Sequence, residues 1–384
     1  MSEWKKVKLG NICERVTSGG TPKANVSSYY YPPIIPWLKT KEVNYCRITE
    51  TENFISEEGL NNSCAKLIAP NSVIIAMYGQ GDTAGRVAIN KIPLTTNQAC
   101  CNLTIDESKA DYEFIYYQLC TLYNKMVSLK AGAAQPNLNA QIIKNLEVRL
   151  PSLPTQQRIA TILSRYDSLI ENYQKQIKLL EESAQRLYKE WFIDLRFPGH
   201  ENTKIVDGVP EGWEKTILCS LVEFKRGKTI TKKDVIEGNI PVVAGGLEPA
   251  YYCNKFNTSE RVITISASGA NAGYTKMYFE KVWASDCSFT DNSMTPYLHF
   301  IFCFLRDNKT TLDNMQKGSA QPHVYAKDIN AMELCLPETS ILQTFEEKVS
   351  KCFDTISSLI FQIHHLTEAR NRLLPKLMSG EFII

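Results

Sequence analysis

The chain has 384 residues, of which 43% are hydrophobic, 10% aromatic and 22% charged. This composition is typical of a globular protein and excludes a disordered or collagen-like chain, and the length allows two or three domains. The formal net charge is only +2, so the strongly basic balance that is usual in nucleic-acid-binding proteins is missing. We find no signal-peptide pattern and no apolar stretch of membrane-spanning length, and expect a soluble, cytoplasmic protein.

Twelve cysteines and five histidines are scattered along the chain. No Cys-x-x-Cys pair occurs, and the histidines lack the spacing of zinc ligands. Most cysteines stand beside apolar residues, as Cys303 does in a Phe-rich run, where a free thiol packs as a small hydrophobe. We therefore expect reduced cysteines and no structural metal.

The first 151 residues have the pattern of a mixed α/β domain, with short strands separated by Gly, Pro and Asn. Strands are predicted near residues 4–9, from Ile35 onward and over 72–78, and the last of these runs into a glycine loop at 79–85. Residues 1–150 contain 16 Lys and Arg against 13 Asp and Glu, a difference of +3. Any DNA contact must therefore use local patches or share the phosphate contacts with a partner.

A long helix is predicted over 152–199, because residues 155–197 contain neither glycine nor proline. Two positions in every seven are apolar over five heptads, which is the pattern of a coiled-coil strand. About 40 residues at 1.5 Å each make a rod of roughly 60 Å. The predicted seam consists of Ile159, Leu163, Tyr166, Ile170, Tyr173, Ile177, Leu180, Ala184, Leu187 and Trp191.

Residues 200–337 repeat the skeleton of the first domain in a divergent sequence. Strands near 213–218, from Ile240 onward and over 261–266 match those of the first domain, and a glycine loop at 268–273 matches 79–85. This copy is 23 residues shorter, and residues 205–340 contain 14 Lys and Arg against 16 Asp and Glu, a difference of −2. A retained scaffold with varied loops is what two domains with different targets would show.

Residues 132–180 return 186 residues later, and the second copy leads into a second long helix, predicted over 338–384. A Gly-x-x-Gln-Pro motif occurs at 132–136 and again at 318–322. A period this long indicates two similar half-molecules rather than a solenoid. At the same offset, the second seam consists of Phe345, Val349, Cys352, Ile356, Leu359, Ile363, Leu366, Leu373 and Leu377, and Arg370 alone interrupts it.

These patterns predict an α+β chain. Two similar mixed α/β domains, 1–151 and 200–337, would be joined by two long helices that form an antiparallel coiled coil with pseudo-twofold symmetry. An alternative stays open at this point: each helix could cover only its own neighbouring domain.

Two motifs resemble nucleotide sites and fail on their residues. Arg226-Gly-Lys228-Thr229 has the end of a Walker A loop but not its upstream glycine, which excludes a P-loop NTPase. The Gly79-x-Gly81-x-x-x-Gly85 loop is one residue too long for a dinucleotide loop, and a proline rather than a helix soon follows. We assign no nucleotide or S-adenosylmethionine site to either.

Two further motifs resemble nucleic-acid-modifying enzymes. Tyr31-Pro-Pro-Ile34 is similar to the loop with which amino-methyltransferases hold a flipped base, but Tyr31 replaces the polar residue that the chemistry needs. Glu346-x-Lys348 could mimic part of a nuclease site, but it falls on the second helix, where we expect a solvated face. No Ser/His/Asp or Cys/His arrangement can be assembled. We predict no catalytic residue.

The chain as a whole resembles the specificity (S) subunits of type I restriction-modification systems. The resemblance is carried by the repeated Gly-x-x-Gln-Pro motif, the Leu-Pro boundaries at 150–151 and 336–337, and the Gln-rich helix start. The segments at 187–199 and 373–380 also resemble the corresponding segments of that family.

The resemblance implies two target recognition domains, each contacting one half of a split double-stranded DNA sequence. The helices would set the gap between the halves and dock two methyltransferase subunits. Those partners would bring S-adenosylmethionine, a restriction/translocase subunit would use Mg and ATP, and this chain would hold no cofactor. The alternative is a non-catalytic coiled-coil adaptor without DNA sequence preference.

Candidate DNA contacts lie in loops, where Lys, Ser and Thr would hold phosphates and Gln, Asn and Arg would contact base edges. In the first domain they are Thr17, Ser18, Gly19, Gly20, Thr21, Lys23, Lys39, Thr40, Gln80, Asp82, Thr83 and Arg86. In the second they are Lys225, Arg226, Lys228, Thr229, Lys232, Lys233, Ser268, Asn271 and Tyr274. For the duplicated Gln135 and Gln321 we expect a scaffold role at the junction of domain and rod, with a DNA contact as the alternative.

Overall fold

The computed structural model of the protein describes residues 4–130, 137–231, 233, 235–316 and 322–382. The predictions for Gln135, Gln321 and Lys232 lie outside the described residues. The chain divides into two compact units: unit 1 comprises Met1–Glu171 and His364–Ile384, and unit 2 comprises Asn172–Ile363.

The elements of the first half of the chain are β1 (Lys5–Lys8), β2 (Cys13–Ser18), β3 (Ile35–Leu38), β4 (Cys46–Ile48), β5 (Phe54–Ile55), α1 (Glu57–Asn61), β6 (Val73–Ala76), β7 (Val87–Asn90), β8 (Thr95–Thr96), β9 (Cys100–Ile105), α2 (Tyr112–Thr121), α3 (Tyr123–Ser128), α4 (Ala140–Lys144), β10 (Glu147–Leu150) and α5 (Leu153–Tyr188). Short 3₁₀ turns occur at Leu9–Ile12, Ser27–Tyr29 and Thr40–Glu42, and a π-helical turn follows α5 at Lys189–Ile193.

The elements of the second half are β11 (Ile205–Val206), β12 (Val209–Pro210), β13 (Glu214–Ile217), β14 (Lys225–Arg226), β15 (Ile240–Val243), β16 (Tyr251–Cys253), β17 (Val262–Ser266), β18 (Thr275–Tyr278), β19 (Trp283–Ala284), β20 (Cys287–Asp291), α6 (Leu298–Asp307), α7 (Lys309–Asn314), α8 (Ala326–Asn330), β21 (Glu333–Leu336) and α9 (Thr339–Ser379). Short 3₁₀ turns occur here at His200–Asn202, Leu218–Ser220 and Gly269–Asn271.

Unit 1 is built on a five-stranded sheet of order β2-β9-β6-β7-β4. Its strands pair antiparallel except for β4 with β7, which are parallel. The central strand β6 is buried along its whole length, which explains its continuous apolar run. A smaller sheet, β5-β3-β8, and the antiparallel pair β1-β10 complete the unit.

Unit 2 repeats this architecture. Its main sheet has the order β14-β20-β17-β18, its small sheet the order β16-β15-β19, and β13 pairs with β21. In this order β14, β20, β17 and β18 correspond to β2, β9, β6 and β7, and no described strand corresponds to β4. The predicted duplication of a mixed α/β domain is therefore confirmed by the strand pairing.

The two long helices pack antiparallel, as predicted. In unit 1, Ile159 and Leu163 near the start of α5 share a buried cluster with Leu377 and Met378 at the end of α9. In unit 2, the ring of Trp191, just after α5, lies 5.8 Å from that of Phe345 near the start of α9. Because each unit buries segments of both helices, the alternative that each helix covers only its own domain is wrong.

All predicted seam residues lie in the described part of the chain, and every one is buried or half-buried. The buried stripe is nevertheless wider than two positions in seven. Leu342, Phe353 and Tyr188 are also buried, with 2–3% of their surface exposed. Each long helix packs against a domain as well as against the other helix. It therefore buries at least three positions in every two turns, rather than the two of a coiled-coil seam.

The helix ends differ in part from the prediction. α5 begins at Leu153, one residue after the predicted start, and Pro154 lies in its first turn, where proline is tolerated. The α-helix ends at Tyr188, earlier than residue 197, because the following Trp191, Phe192 and Phe197 enter the core of unit 2. Pro375 lies inside α9, which ends at Ser379, earlier than the predicted residue 384, and is followed by Gly380 with its positive φ of 75°.

All twelve cysteines fall in the described segments and are unpaired. Among the described residues, no helix combines the length and the apolar character needed to cross a membrane. Within the same residues no group of three or more His, Cys, Asp and Glu side chains could hold a metal ion.

Candidate functional site

Three loops of unit 1 meet at one end of the main sheet. β2 ends at Ser18, which pairs with Cys101, and β6 ends at Ala76, which pairs with Cys100. The start of β9 therefore lies beside the ends of both strands. Since antiparallel pairing fixes this register, the segments 18–23, 77–86 and 97–99 lie side by side.

The small sheet adds a fourth segment to the same end. Leu38, the last residue of β3, pairs with Thr96, and its carbonyl accepts the N–H of Asn97 at 2.9 Å. Lys39 and Thr40 therefore follow directly beside residues 97–98. The predicted contact segments of the first domain, which extend over 69 positions from Thr17 to Arg86, thus form one loop cluster.

Gly19 and Gly20 fix the first of these loops in place. Their N–H groups donate to Cys100 O at 3.2 Å and Thr96 O at 2.9 Å. A Cβ at Gly19 would lie 2.2 Å from Asn97 O, which is a severe overlap. Both glycines are buried, so they position the loop rather than present groups on the surface.

The remaining candidates of unit 1 are accessible to different degrees. Thr21 donates a hydrogen bond to Gln98 Oε1, and Lys39 Nζ lies 5.0 Å from the centre of the Trp37 ring. The exposed candidates are Ser18, Thr21, Lys23, Gln80 and Asp82, and the half-buried ones are Thr17, Lys39, Thr40, Thr83 and Arg86.

An ion pair holds Arg86 in this cluster. Its guanidinium donates to Asp82 Oδ1 at 2.5 Å and to Asn44 Oδ1 at 3.0 Å. The hydrogen bond from Arg86 holds the pKa of the Asp82 carboxyl below its usual value. The Tyr123 hydroxyl donates to the Asp82 carbonyl at 2.9 Å. Asp82 is therefore a charged brace for Arg86, and Arg86 is oriented before any ligand binds.

The same end of the sheet in unit 2 gathers the equivalent loops. β14 ends at Arg226, which pairs with Ser288, and β17 ends at Ser266, which pairs with Cys287. Gly227 N–H donates to Cys287 O at 2.8 Å, and a Cβ there would lie 2.4 Å from Ser285 O. Gly227 is thus the structural counterpart of Gly19.

The loop cluster of unit 2 is also braced by a carboxylate. Asp286 forms an ion pair with Arg226 and accepts a hydrogen bond from the Ser268 hydroxyl. Asn271 Nδ2 donates to Gly245 O at 3.3 Å, which joins the 268–273 loop to the loop after β15. The exposed candidates are Lys225, Arg226, Lys228, Thr229, Lys233 and Tyr274, and the half-buried ones are Ser268 and Asn271.

Not every candidate of the second domain points into this cluster. Tyr274 lines a cavity together with Glu181 of α5 and Arg306 of α6, within unit 2, and burial raises the pKa of its hydroxyl. Lys225 and Arg226 are neighbours on one strand, so their side chains leave on opposite faces of the sheet.

The sequence-based list missed Gln98 and Asp286. Gln98 lies just before β9 and accepts a hydrogen bond from the predicted residue Thr21. Asp286 lies just before β20 and forms an ion pair with the predicted residue Arg226. The signal was present, since Asn97-Gln98 and Ser285-Asp286 occur at a common offset of 188.

The structure corrects the prediction for one of the rejected catalytic motifs. The loop at 79–85 is followed by strand β7, not by a helix. Glu346 was expected on a solvated helix face, and this was wrong: its side chain is only 15% exposed. It accepts the backbone N–H groups of His299 and Phe300. Lys348 is exposed as expected.

Comparison with known proteins relates the chain to one family. A family model described as Type I restriction modification DNA specificity domain matches residues 1–182 and 210–369. The type I restriction enzyme MjaIX specificity subunit of Methanocaldococcus jannaschii is 29% identical, over 99% of this chain and 93% of the relative. The HindI specificity subunit of Haemophilus influenzae is 22% identical, over 99% and 100%. A crystal structure of a type I restriction-modification S subunit from M. genitalium covers 97% of this chain and 96% of its own, with a TM-score of 0.60 at 16% identity, and shares the fold.

Proposed function

The chain belongs to the type I restriction-modification DNA specificity family, and from this premise we propose that each of its two units recognises one half of a bipartite DNA sequence. The loop clusters are the proposed contact surfaces. In unit 1 the exposed groups include Thr21, Lys23 and Gln80, and in unit 2 they include Arg226 and Lys228.

The observation that supports this proposal is the contrast between equivalent positions. Gly19 and Gly227 occupy the same place in the two sheets, and each is packed against the segment before the middle strand. Ser18 precedes the first glycine, whereas Arg226 precedes the second. Different donors and acceptors on a common scaffold are what separate recognition of two half-sites requires.

The braced arginines fit the chemistry of base recognition. An arginine fork donates to the O6 and N7 atoms of guanine in the major groove, and a fixed side chain loses little conformational entropy on binding. Arg86 with Asp82 and Arg226 with Asp286 are the oriented arginines of the two clusters. Lysines such as Lys23 and Lys228 would contact phosphates and supply affinity without sequence preference.

We further propose that α5 and α9 set the spacing of the two half-sites and dock two methyltransferase subunits. These helices have 36 and 41 residues, or about 54 and 62 Å at 1.5 Å per residue. The chain itself would be non-catalytic. S-adenosylmethionine would bind to the methyltransferase subunits, and Mg and ATP to the restriction/translocase subunits.

Reconstitution with the methyltransferase subunits tests the DNA assignment. We expect the complex to protect and methylate a bipartite sequence, and replacement of residues 205–337 by those of a relative to change only one half-site. A complex with no sequence preference in a gel-shift competition would favour the adaptor alternative. Changes in both half-sites would contradict separate recognition.

The spacing assignment has its own test. Adding one heptad to both long helices, near residues 172 and 363, lengthens each by about 10 Å. We expect the spacer of the methylated sequence to grow while both half-sites stay the same. Substitution of seven existing residues by other heptad-compatible residues is the control. An unchanged spacer in methylome sequencing would refute the assignment.

A further inference from the structure

The one charged residue in the predicted seam of α9 has a buried partner on α5. The guanidinium of Arg370 donates to Asp167 Oδ1 at 2.5 Å, and the Asp167 side chain is only 10% exposed. The other carboxylate oxygen of Asp167 accepts the hydroxyl of Tyr117 on α2. All three residues belong to unit 1. The ion pair is therefore part of the packing between the helices, with both carboxylate oxygens bound.

The duplication assigns each member of this pair a counterpart in unit 2. At the offset of 186 residues, Arg370 corresponds to Ala184 and Asp167 corresponds to Phe353. Both counterparts are 2% exposed and belong to one hydrophobic cluster, together with Tyr188 and Val349. Equivalent positions of the two long helices are thus occupied by an ion pair in unit 1 and by apolar side chains in unit 2.

Because of this asymmetry, pairing of α5 with α9 is not equivalent to pairing of either helix with the same helix of a second copy. If two copies of the chain paired α5 with α5 in the same register, Asp167 would face Ala184 of the other copy. If they paired α9 with α9, Arg370 would face Phe353. Either pairing buries a charge without its partner, which is strongly unfavourable.

One other arginine, Arg47, interacts electrostatically with Asp167, but its hydrogen bonds go to other residues. Arg47, on β4, donates to Ser168 and Glu113 and lies 3.7 Å from Glu171. Every other predicted seam position is apolar or aromatic in both helices. Hydrophobic burial alone therefore does not distinguish the intrachain pair from the two homotypic pairs. A single polar position that fixes partner and register is a known device of coiled coils.

We propose that Asp167 and Arg370 act as a pairing code, which selects α5–α9 pairing within one chain over homotypic pairing with a second copy. The code concerns how the chain folds and associates, and it does not depend on the DNA sequence that the units recognise.

Moving the arginine from position 370 on α9 to the equivalent position 184 on α5 tests the code in the full chain. In the variant Ala184→Arg/Arg370→Ala, Asp167 and the new arginine both lie on α5. Asp167 then faces that arginine of the other copy in an α5–α5 pair, whereas it faces alanine in the intrachain pair. We expect this variant to dimerise with a dissociation constant at least about 100-fold lower than that of the wild type. Size-exclusion chromatography with light scattering, together with native mass spectrometry, measures the association.

A variant of the same composition is the matched control. The substitutions Asp167→Phe, Ala184→Arg, Phe353→Asp and Arg370→Ala move both charges to unit 2 and restore a complementary α5–α9 pair. We expect this chain to be monomeric and to regain the unfolding midpoint that the two-substitution variant loses.

Two results would overturn the code: a two-substitution variant that dimerises no more than the wild type, or a four-substitution variant that dimerises equally. If the two-substitution chain fails to fold, the test rests on the four-substitution chain. It must then fold as a monomer, and its failure to do so contradicts the proposal.

Discussion

The carboxylate of Glu346 on α9 accepts the backbone N–H of His299, at the start of α6, at 3.0 Å. Its second oxygen accepts the N–H of Phe300 at 3.1 Å, whereas Tyr297, which precedes α6, makes no side-chain cap. The first N–H groups of a helix have no partner within the helix, and a negative charge there also interacts favourably with the helix dipole. A long helix thus caps the N-terminus of a domain helix.

Loss of this cap is expected to destabilise unit 2. We predict that Glu346→Ala lowers the free energy of unfolding by about 1–2 kcal/mol, the usual cost of removing a capping acceptor. Glu346→Gln should lose less, since its amide oxygen still accepts one of the two hydrogen bonds. Urea unfolding of the full chain measures the change. Glu347→Ala, on the exposed face next to it, is the control, and equal losses from the two alanine variants would contradict the capping role.

Alanine at Gly19 or Gly227 is expected to disturb one loop cluster only. The added Cβ would lie 2.2 Å from Asn97 O in unit 1 and 2.4 Å from Ser285 O in unit 2, so the loop must move away from the middle strand. We predict that Gly19→Ala relaxes recognition of one half-site and that Gly227→Ala relaxes recognition of the other. Gly246→Ala is the milder comparison, because its Cβ would lie 3.3 Å from Glu248 O and requires a shift of only a few tenths of an ångström. Methylome sequencing that finds the same half-site affected by both glycine variants would argue against this assignment.

Arg226 is expected to contribute specificity rather than general affinity. Losing a bidentate contact to guanine costs about 1–3 kcal/mol of discrimination, so Arg226→Ala should weaken the preference at one position of one half-site roughly tenfold or more. Asp286→Asn should weaken it less, because the arginine remains but loses its charged brace. Competition binding with half-site variants at fixed salt measures both. Lys215→Ala, an exposed residue of β13 outside the loop cluster, is the control. A uniform loss across all sequences would show that Arg226 contacts phosphate instead.

Thiol reactivity should follow burial. Burial raises the pKa of Cys13, Cys101 and Cys287 to about 12, whereas Cys64 and Cys219 are exposed. A raised pKa leaves very little thiolate, the reactive form, at pH 8. We predict that iodoacetamide labels Cys64 and Cys219 first and that Cys13, Cys101 and Cys287 react only after denaturation. Mass spectrometry of peptides reads out the order, and early labelling of Cys287 would contradict the packing of β20.

The sequence by itself determined the duplication, the two long helices and the positions of six strands, which are β1, β3, β6, β13, β15 and β17. These features follow from local patterns: the 186-residue offset, the apolar spacing of residues such as Ile159 and Leu163, and the continuous apolar run of β6. Hydrophobic periodicity reports which face of an element is buried, so it can be recognised without knowledge of the neighbours.

Only the tertiary structure decided which side chains meet. Arg226 and Asp286 are 60 residues apart, Glu346 and His299 are 47 apart, and Asp167 and Arg370 are 203 apart. The strength of each contact depends on how strand register and helix packing align the partners and exclude water around them. For this reason Arg370, which the heptad pattern marks as an interruption, and Glu346, which the helix pattern places in solvent, acquire their roles only from residues that no local pattern connects to them.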